Sequence, residues 1–220
     1  GQKRIYIGDD VLTYDPLHYL VLSVPLPLEC ETTASPEEPM LGLSIKVDAA
    51  IVGEILLASD NIPCHNNVLP KGIFAEALDE PLVDAVIRLL EACTSPADKR
   101  FLGPMIVREI IYRVLKGEKG EALRALAFRN QRFFQIAHVL DIIHGSFNQK
   151  LDLNQLALEA GMSISAFHSS FKAVTNNSPL QYIKNVRLHK ARMLMIEDGI
   201  SAYKAADYVG YESSSQFNRE

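Results

Sequence analysis

The chain has 220 residues, 48% of them hydrophobic and 22% charged, with 12 Gly, 11 Pro and a formal net charge of −5. That composition excludes a disordered chain, a collagen-like repeat and, because no apolar run approaches roughly 20 residues, a membrane-spanning helix. The net charge taken alone argues against a nucleic-acid binder, and three scattered cysteines (Cys30, Cys64, Cys93) with no Cys-x-x-Cys argue against a disulfide framework or zinc cluster and fit a reducing compartment.

Residues 1–4 run straight into strand-like sequence, without the charged-then-apolar pattern of a signal peptide. Ile5-Tyr6-Ile7 and Val11-Leu12-Thr13-Tyr14 flank Gly8-Asp9-Asp10 and read as a hairpin. A second strand is expected over residues 19–24, stopped by Pro25 and Pro27, and a third over 40–47, after a polar loop from 31 to 39. A sheet of these pieces alone is too small to close over a core, so further strands are expected upstream of Gly1. From Asp48 the pattern turns helical. Residues 49–57 follow Asp48 as N-cap, 61–74 read as a loop, and Pro81 opens a helix through Cys93. A helix over 104–116 gathers Val107, Ile110, Ile111, Val114 and Leu115 into one stripe, which fits either packing within its own domain or a dimer face. Gly117 and Gly120 follow, and a connecting helix is expected over 121–145. Charge is uneven along the chain. Residues 1–147 carry 14 Lys+Arg and 20 Asp+Glu, a balance of −6, whereas 148–220 carry 8 and 7, a balance of +1.

The most informative feature lies after Leu151. In Leu156-Ala157-Leu158-Glu159-Ala160-Gly161-Met162-Ser163, small Ala157 suits a close helix crossing, Gly161 supplies a turn needing positive φ, and Ser163 suits an N-cap. Phe167 and Phe171 then share one face of the next helix. This is helix-turn-helix spacing. It occurs twice: Ala206, Gly210, Ser213 and Phe217 repeat Ala157, Gly161, Ser163 and Phe167 at offsets of 49, 49, 50 and 50. Between the copies, Ser178-Pro179 starts a long helix to about Glu197, striped by Leu180, Ile183, Val186/Arg187, Ala191 and Leu194 and ended by Asp198-Gly199. Such a helix would fix the separation of two recognition helices, which reach one face of a duplex when held roughly 34 Å apart.

Residues 151–220 resemble the DNA-binding domain of AraC/XylS-family transcriptional regulators. The resemblance is carried by Leu156-Ala157, Gly161-Met162-Ser163, Phe167, Phe171-Lys172, Ser178-Pro179, Tyr182, Arg187-Leu188, Ala191 and the run from Gly210-Tyr211-Glu212 through Phe217-Asn218-Arg219. The earlier part resembles the regulatory domain of one branch of that family, through Phe101-Leu102, Pro104, Val107-Arg108-Glu109-Ile110 and Tyr112-Arg113. The resemblance implies an α+β chain: a partial cupin-like β-barrel plus helices, then an all-α domain with two helix-turn-helix units joined by a long helix. The implied division is a regulatory and dimerisation domain over 1–120, a linker helix over 121–147 and the DNA-binding domain over 148–220, with the second unit incomplete. Both ends depart from the family, whose members carry more strands upstream and a closing helix downstream, so a parent chain nearer 300 residues is expected.

The resemblance further implies a cytoplasmic bacterial regulator, most often an activator. Its implied partners are double-stranded promoter DNA, RNA polymerase, a small-molecule effector and a second copy in a homodimer, with no membrane association and no cofactor. Positions matching Ser165, His168 and Ser169 face base edges in the family, as do those matching Ser214, Ser215, Gln216, Asn218 and Arg219. Gln and Asn pair with adenine and Arg with guanine, while Lys172 suits a phosphate. Family members commonly carry Arg where this chain has Ser169, so the second unit is expected to discriminate bases more than the Ser-rich first. Two other readings were weighed against this one. A cupin-type metal enzyme needs clustered ligands, but His18 and His65 are isolated and no His-x-His, phosphate loop or nucleophile elbow occurs. A DNA-free interaction module would instead use the stripe from Val107 to Leu115.

Overall fold

The computed structural model describes residues 1–7, 10–59, 69–117, 119–127, 132–211 and 213–220. The expected turn at Gly8-Asp9 and most of the 61–74 loop, with Cys64 and His65, lie outside the described residues. The chain is α+β and forms two compact units, residues Gly1–Ser23 with Leu28–Gln131 and residues Val24–Pro27 with Arg132–Glu220.

The N-terminal unit holds two antiparallel sheets. Strands β1 (Gln2–Ile7), β2 (Asp10–Tyr14) and β4 (Glu29–Thr33) form one in the order β2-β1-β4, with Ile5 opposite Leu12 on one side and Cys30 on the other. Strands β3 (His18–Leu22) and β5 (Ile73–Ala77) form the other, with Leu22 opposite Ile73. The expected hairpin and the strand near residue 19 are present. β4 stands where a polar loop was expected, because all five of its residues are exposed at a charged sheet edge and give no apolar alternation. β5 is buried only at Ile73 and Phe74, too short a signal against the preceding loop. Residues 40–47 do alternate, yet they form no strand. A period of two reports an extended, half-covered backbone, whereas a strand also needs a neighbour with a free edge.

Five helices complete this unit: α1 (Ala49–Leu57), α2 (Glu80–Ala92), α3 (Pro96–Phe101), α4 (Gly103–Lys116) and α5 (Glu121–Ala127). The Asp48 carboxylate accepts from the Ala50 amide at 2.8 Å and so caps α1 as expected. Asp79 caps α2 through the Leu82 amide at 2.9 Å. Of the expected α4 stripe, Ile110, Ile111, Val114 and Leu115 are buried and Val107 is half-buried; Ile106 is buried beside them, with Leu82, Ala85 and Leu89 of α2 and Val52 and Ile55 of α1 also in the core. The dimer-face reading of that stripe is therefore corrected, because its apolar area is already used by its own unit. Across the outside of the α2–α4 contact, Glu109 binds Arg88 at 2.8 Å and Arg113 at 2.7 Å, and the two guanidinium groups hold its carboxyl below the usual range.

The described parts of the expected connecting helix are α5 and α6 (Arg132–Gly145), and residues 128–131 lie outside the described residues. Each has its own apolar face and serves a different core. Ala122, Leu123 and Ala125 are buried in the first unit, and Phe133, Ile136, Val139, Leu140 and Ile143 in the second.

The C-terminal unit continues with α7 (Leu153–Glu159), α8 (Ile164–Thr175), α9 (Pro179–Glu197), α10 (Ala202–Tyr208) and α11 (Ser214–Phe217). α6 packs on α7 and α8. Phe167, Phe171, Val174, Tyr182, Ile183 and Val186 are buried with it. A second cluster joins Ala191, Ala205, Ala206, Val209 and Tyr211, with Phe147, Leu188, Leu194, Ile200 and Phe217 against it. Leu180, expected in the α9 stripe, is exposed, and the neighbouring Tyr182 is fully buried in its place.

Candidate nucleic-acid interface

The two expected units share one local construction. At the end of α7, Gly161 sits at φ +62° and the Met162 amide donates to the Ala157 carbonyl at 2.9 Å. At the end of α10, Gly210 sits at φ +82° and the Tyr211 amide donates to the Ala206 carbonyl at 3.0 Å. This six-residue bond closes a helix through a left-handed residue, and glycine occupies that conformation without a Cβ penalty. Ser163 then caps α8 by accepting from the Ala166 amide at 3.4 Å. Ser213 caps α11 by accepting from the Gln216 amide at 3.2 Å. The sequence repeat is thus a repeat of hydrogen bonds.

Aromatic pairs pack beneath each second helix. Phe167 and Phe171 meet edge to face at 5.5 Å beneath α8, and Tyr211 and Phe217 at 5.2 Å beneath α11. The opposite face of α8 exposes Ser165, His168, Ser169 and Lys172. The Ser169 hydroxyl donates back to the Ala166 carbonyl at 3.0 Å. Ser215 and Gln216 of α11 are exposed, as are Asn218 and Arg219 in the turn that follows it, and the Arg219 Nε donates to the Ser215 carbonyl at 3.1 Å. Ser214 opens α11, and its side chain lies outside the described residues. The fold brings Ser165, His168, Ser169 and Lys172 together on one face of α8 and collects Ser215, Gln216, Asn218 and Arg219 on α11 and the turn that follows it.

Two residues that the sequence marks as carriers of the resemblance, without a role at the site, help to build it. Arg187 donates to the Phe147 carbonyl and to the Gln149 carbonyl, each at 2.7 Å, and lies 5.8 Å over the Tyr211 ring. It fastens the approach to α7 against α9 and the second cluster. Tyr182 donates to the Pro25 carbonyl at 2.6 Å, so its oxygen is left to accept from His144 Nε2 at 2.8 Å. Burial pushes the Tyr182 hydroxyl pKa well up. Burial first, then Lys190 and His189, holds the His144 imidazole below its ordinary value against the opposing pull of Asp141. A charge signal was also available at finer grain. No Asp or Glu occurs between Glu159 and Glu197, while Lys172, Lys184, Arg187, Lys190 and Arg192 do.

In the N-terminal unit a cavity of about 690 Å³ lies against β3 and α4. Its walls include Leu20, Met40, Leu82, Ile110 and Val114, with His18 and Lys46 among the polar lining. The Tyr19 hydroxyl, raised in pKa mainly by burial, donates to Glu76 at 2.8 Å near it. Among the described residues no group of three or more His, Cys, Asp or Glu could hold a metal ion, and no helix is long and apolar enough to cross a membrane.

Residues 1–122 match the family described as AraC-type transcriptional regulator N-terminus, and residues 156–220 match a helix-turn-helix domain. The chain belongs to the AraC-type transcriptional regulators. Over 84 residues this AraC-type chain is 27% identical to the Msm operon regulatory protein of Streptococcus mutans serotype c, a match covering 38% of the chain. It spans about 30% of the length of that curated relative. Its fold is similar to that of an apo ToxT variant from Vibrio cholerae, with a TM-score of 0.54 at 10% identity, covering 100% of this chain and 80% of that one.

Proposed function

We propose that this AraC-type chain binds double-stranded promoter DNA through both helix-turn-helix units and answers to a small molecule held in the N-terminal cavity. The observation that carries the reading is the paired construction: the same left-handed glycine closure, serine cap and edge-to-face aromatic pair occur twice, and both second helices expose polar side chains. Ser165, His168 and Ser169 then meet base edges, as do Ser214, Ser215, Gln216, Asn218 and Arg219, and Lys172 meets a phosphate. Gln216 and Asn218 suit adenine and Arg219 suits guanine. The Ser169 hydroxyl, turned back on its own helix, leaves the first unit the weaker reader. The cavity falls within the 300–1,000 Å³ that small-molecule sites occupy. The proposal extends to a cytoplasmic activator working with RNA polymerase, and to a partial cupin-like regulatory and dimerisation part over 1–120, a linker helix over 121–147 and a DNA-binding part over 148–220. It includes a homodimer closed by the exposed Phe101, Met105 and Tyr112.

A mobility shift on a duplex enriched from a random pool by the chain itself tests the DNA reading. Binding should weaken as salt rises, since phosphate contacts release counterions. Absence of binding, or binding indifferent to salt, would reject it. Across base-pair variants of that duplex, Arg219→Ala should lose more discrimination than Ser169→Ala, and equal losses would remove the ranking of the two units. For the sensor, a metabolite screen by thermal shift should find a compound that raises the melting temperature and whose effect disappears when the cavity is filled by Val114→Phe.

A further inference from the structure

The cavity of the N-terminal unit lies between two stretches of extended backbone. On one side every residue from Leu17 to Ser23 lines it, and on the other every residue from Pro39 to Val47 except Ser44. Successive side chains of an extended chain point to opposite faces, so an unbroken run of lining residues means that the cavity meets the strand at its edge. The register identifies the backbone groups there. The Leu78 amide donates to the Leu17 carbonyl at 2.7 Å and the Ser23 amide to the Gly72 carbonyl at 2.9 Å. With His18 opposite Ala77, the positions of β3 that bond to β5 are therefore the odd ones. The N–H and C=O groups of Leu20 and Leu22 point away from β5, and β3 has no other neighbour in its sheet among the described residues. Residues 40–47 likewise make no main-chain hydrogen bond among the described residues.

The side chains at this slot also lack cover. Leu17, Leu22, Leu41 and Leu43 line it and are all exposed, above a buried floor that includes Ile110 and Val114. An exposed apolar cluster of this kind marks a binding groove. An apolar small molecule would cover the leucines but shut the main-chain groups of both edges away from water without partners. A peptide laid between them in extended form satisfies both needs, as strand addition does at open sheet edges. The size agrees. A strand takes about 4.8 Å by 10 Å in cross-section and about 3.3 Å per residue, so the cavity of about 690 Å³ holds about four residues. Lys46 lines the slot, exposed and without an acidic partner among the described residues, and so suits an anionic end.

We propose, resting on the reading of this cavity as the sensor, that its ligand is a short extended peptide, apolar at alternate positions, which lies as a strand between β3 and residues 40–47 with its C-terminal carboxylate against Lys46. A pool of hexapeptides alternating Leu, Val or Phe with Thr or Ser, incubated with the whole chain and read by mass spectrometry of what is retained, supplies the probe. A retained peptide should raise the melting temperature. Its N-methylated analogue, with the same side chains and no N–H, should not bind. Leu22→Pro removes an N–H that faces the cavity and none that faces β5. It should weaken peptide binding about fivefold, the scale of one hydrogen bond, and leave the melting temperature of the free chain unchanged. Amidating the peptide's C-terminus should weaken binding about threefold in the wild type and not at all in Lys46→Ala; equal losses in both would remove Lys46 from the site. Retention of no peptide, or equal binding by the N-methylated analogue, would overturn the proposal. If a compound without amide groups then stabilises the chain and loses its effect in Val114→Phe, the sensor reading stands without the peptide. If instead the peptide binds as expected but leaves affinity for the enriched duplex unchanged, the site stands and the sensor reading fails. Should Leu22→Pro not fold, the N-methylated analogue decides alone.

Discussion

Gly210 is the tightest point of the second helix-turn-helix unit. A Cβ there would collide with the Asn148 carbonyl, besides the strain of φ +82°. At Gly161 the nearest atom is the Gln135 amide nitrogen at 3.7 Å, so only the φ of +62° resists a side chain. Gly161→Ala should therefore cost about 1–2 kcal/mol, the left-handed penalty alone, and Gly210→Ala clearly more, as read by thermal denaturation. Equal losses would mean that the 145–150 region yields. His144 supplies a pH dependence. Its folded pKa lies below the ordinary 6.5, so the unfolded chain binds its proton first as pH falls. Stability should decline from about pH 6.5 down to the depressed value and level off below it. Melting temperatures across that window should show the decline, and His144→Gln should flatten that part. At this scale the local chemistry was legible: Asp48, Ser163, Ser178 and Ser213 each accept from a backbone amide two or three residues on, and caps are written in neighbouring residues. Arg187 and Tyr182 were not legible as site-builders, because their partners are main-chain carbonyls 38 to 157 residues away, which no local pattern encodes.

Among the elements, long helices with apolar stripes were read correctly and the strands less well. α4 carries one apolar stripe, and periodicity alone cannot say whether its own unit covers it. The inner face packs on α1 and α2, whereas Met105, at 69% exposed, and Phe101 of the preceding α3, also 69%, lie on the outer surface. If these side chains close the proposed homodimer, Phe101→Lys with Met105→Lys should convert a sedimenting dimer into a monomer with little change in melting temperature. A dimer unaffected by both substitutions would move the interface elsewhere. The Asp79 cap offers an independent check on the unit: Asp79→Ala should lower stability by about 1 kcal/mol. β4 escaped notice for a different reason. Glu29-Cys30-Glu31-Thr32-Thr33 is an edge strand with every residue exposed, and charge at an edge serves to discourage further pairing rather than to mark a core. Residues 40–47 show the converse, an alternating pattern without a ladder.

For the whole molecule, a net charge of −5 first spoke against DNA. The resolution lies in where the acids are: between Glu159 and Glu197 there are none, and five Lys and Arg fall in that stretch. Affinity for the enriched duplex should consequently fall about tenfold or more between 50 and 200 mM salt, measured by anisotropy, and Lys172→Ala should make the slope shallower. α9 spans 19 residues between the two recognition units, about 28 Å of uninterrupted helix. A helix is a protractor as well as a ruler. One residue inserted into it adds about 1.5 Å of length but turns everything beyond by about 100°, which would swing the second reader off the face of the duplex that the first one addresses. If both units read one duplex as proposed, length changes that a surface loop absorbs are barred from α9, and the two halves of a bound site keep a spacing fixed to the base pair.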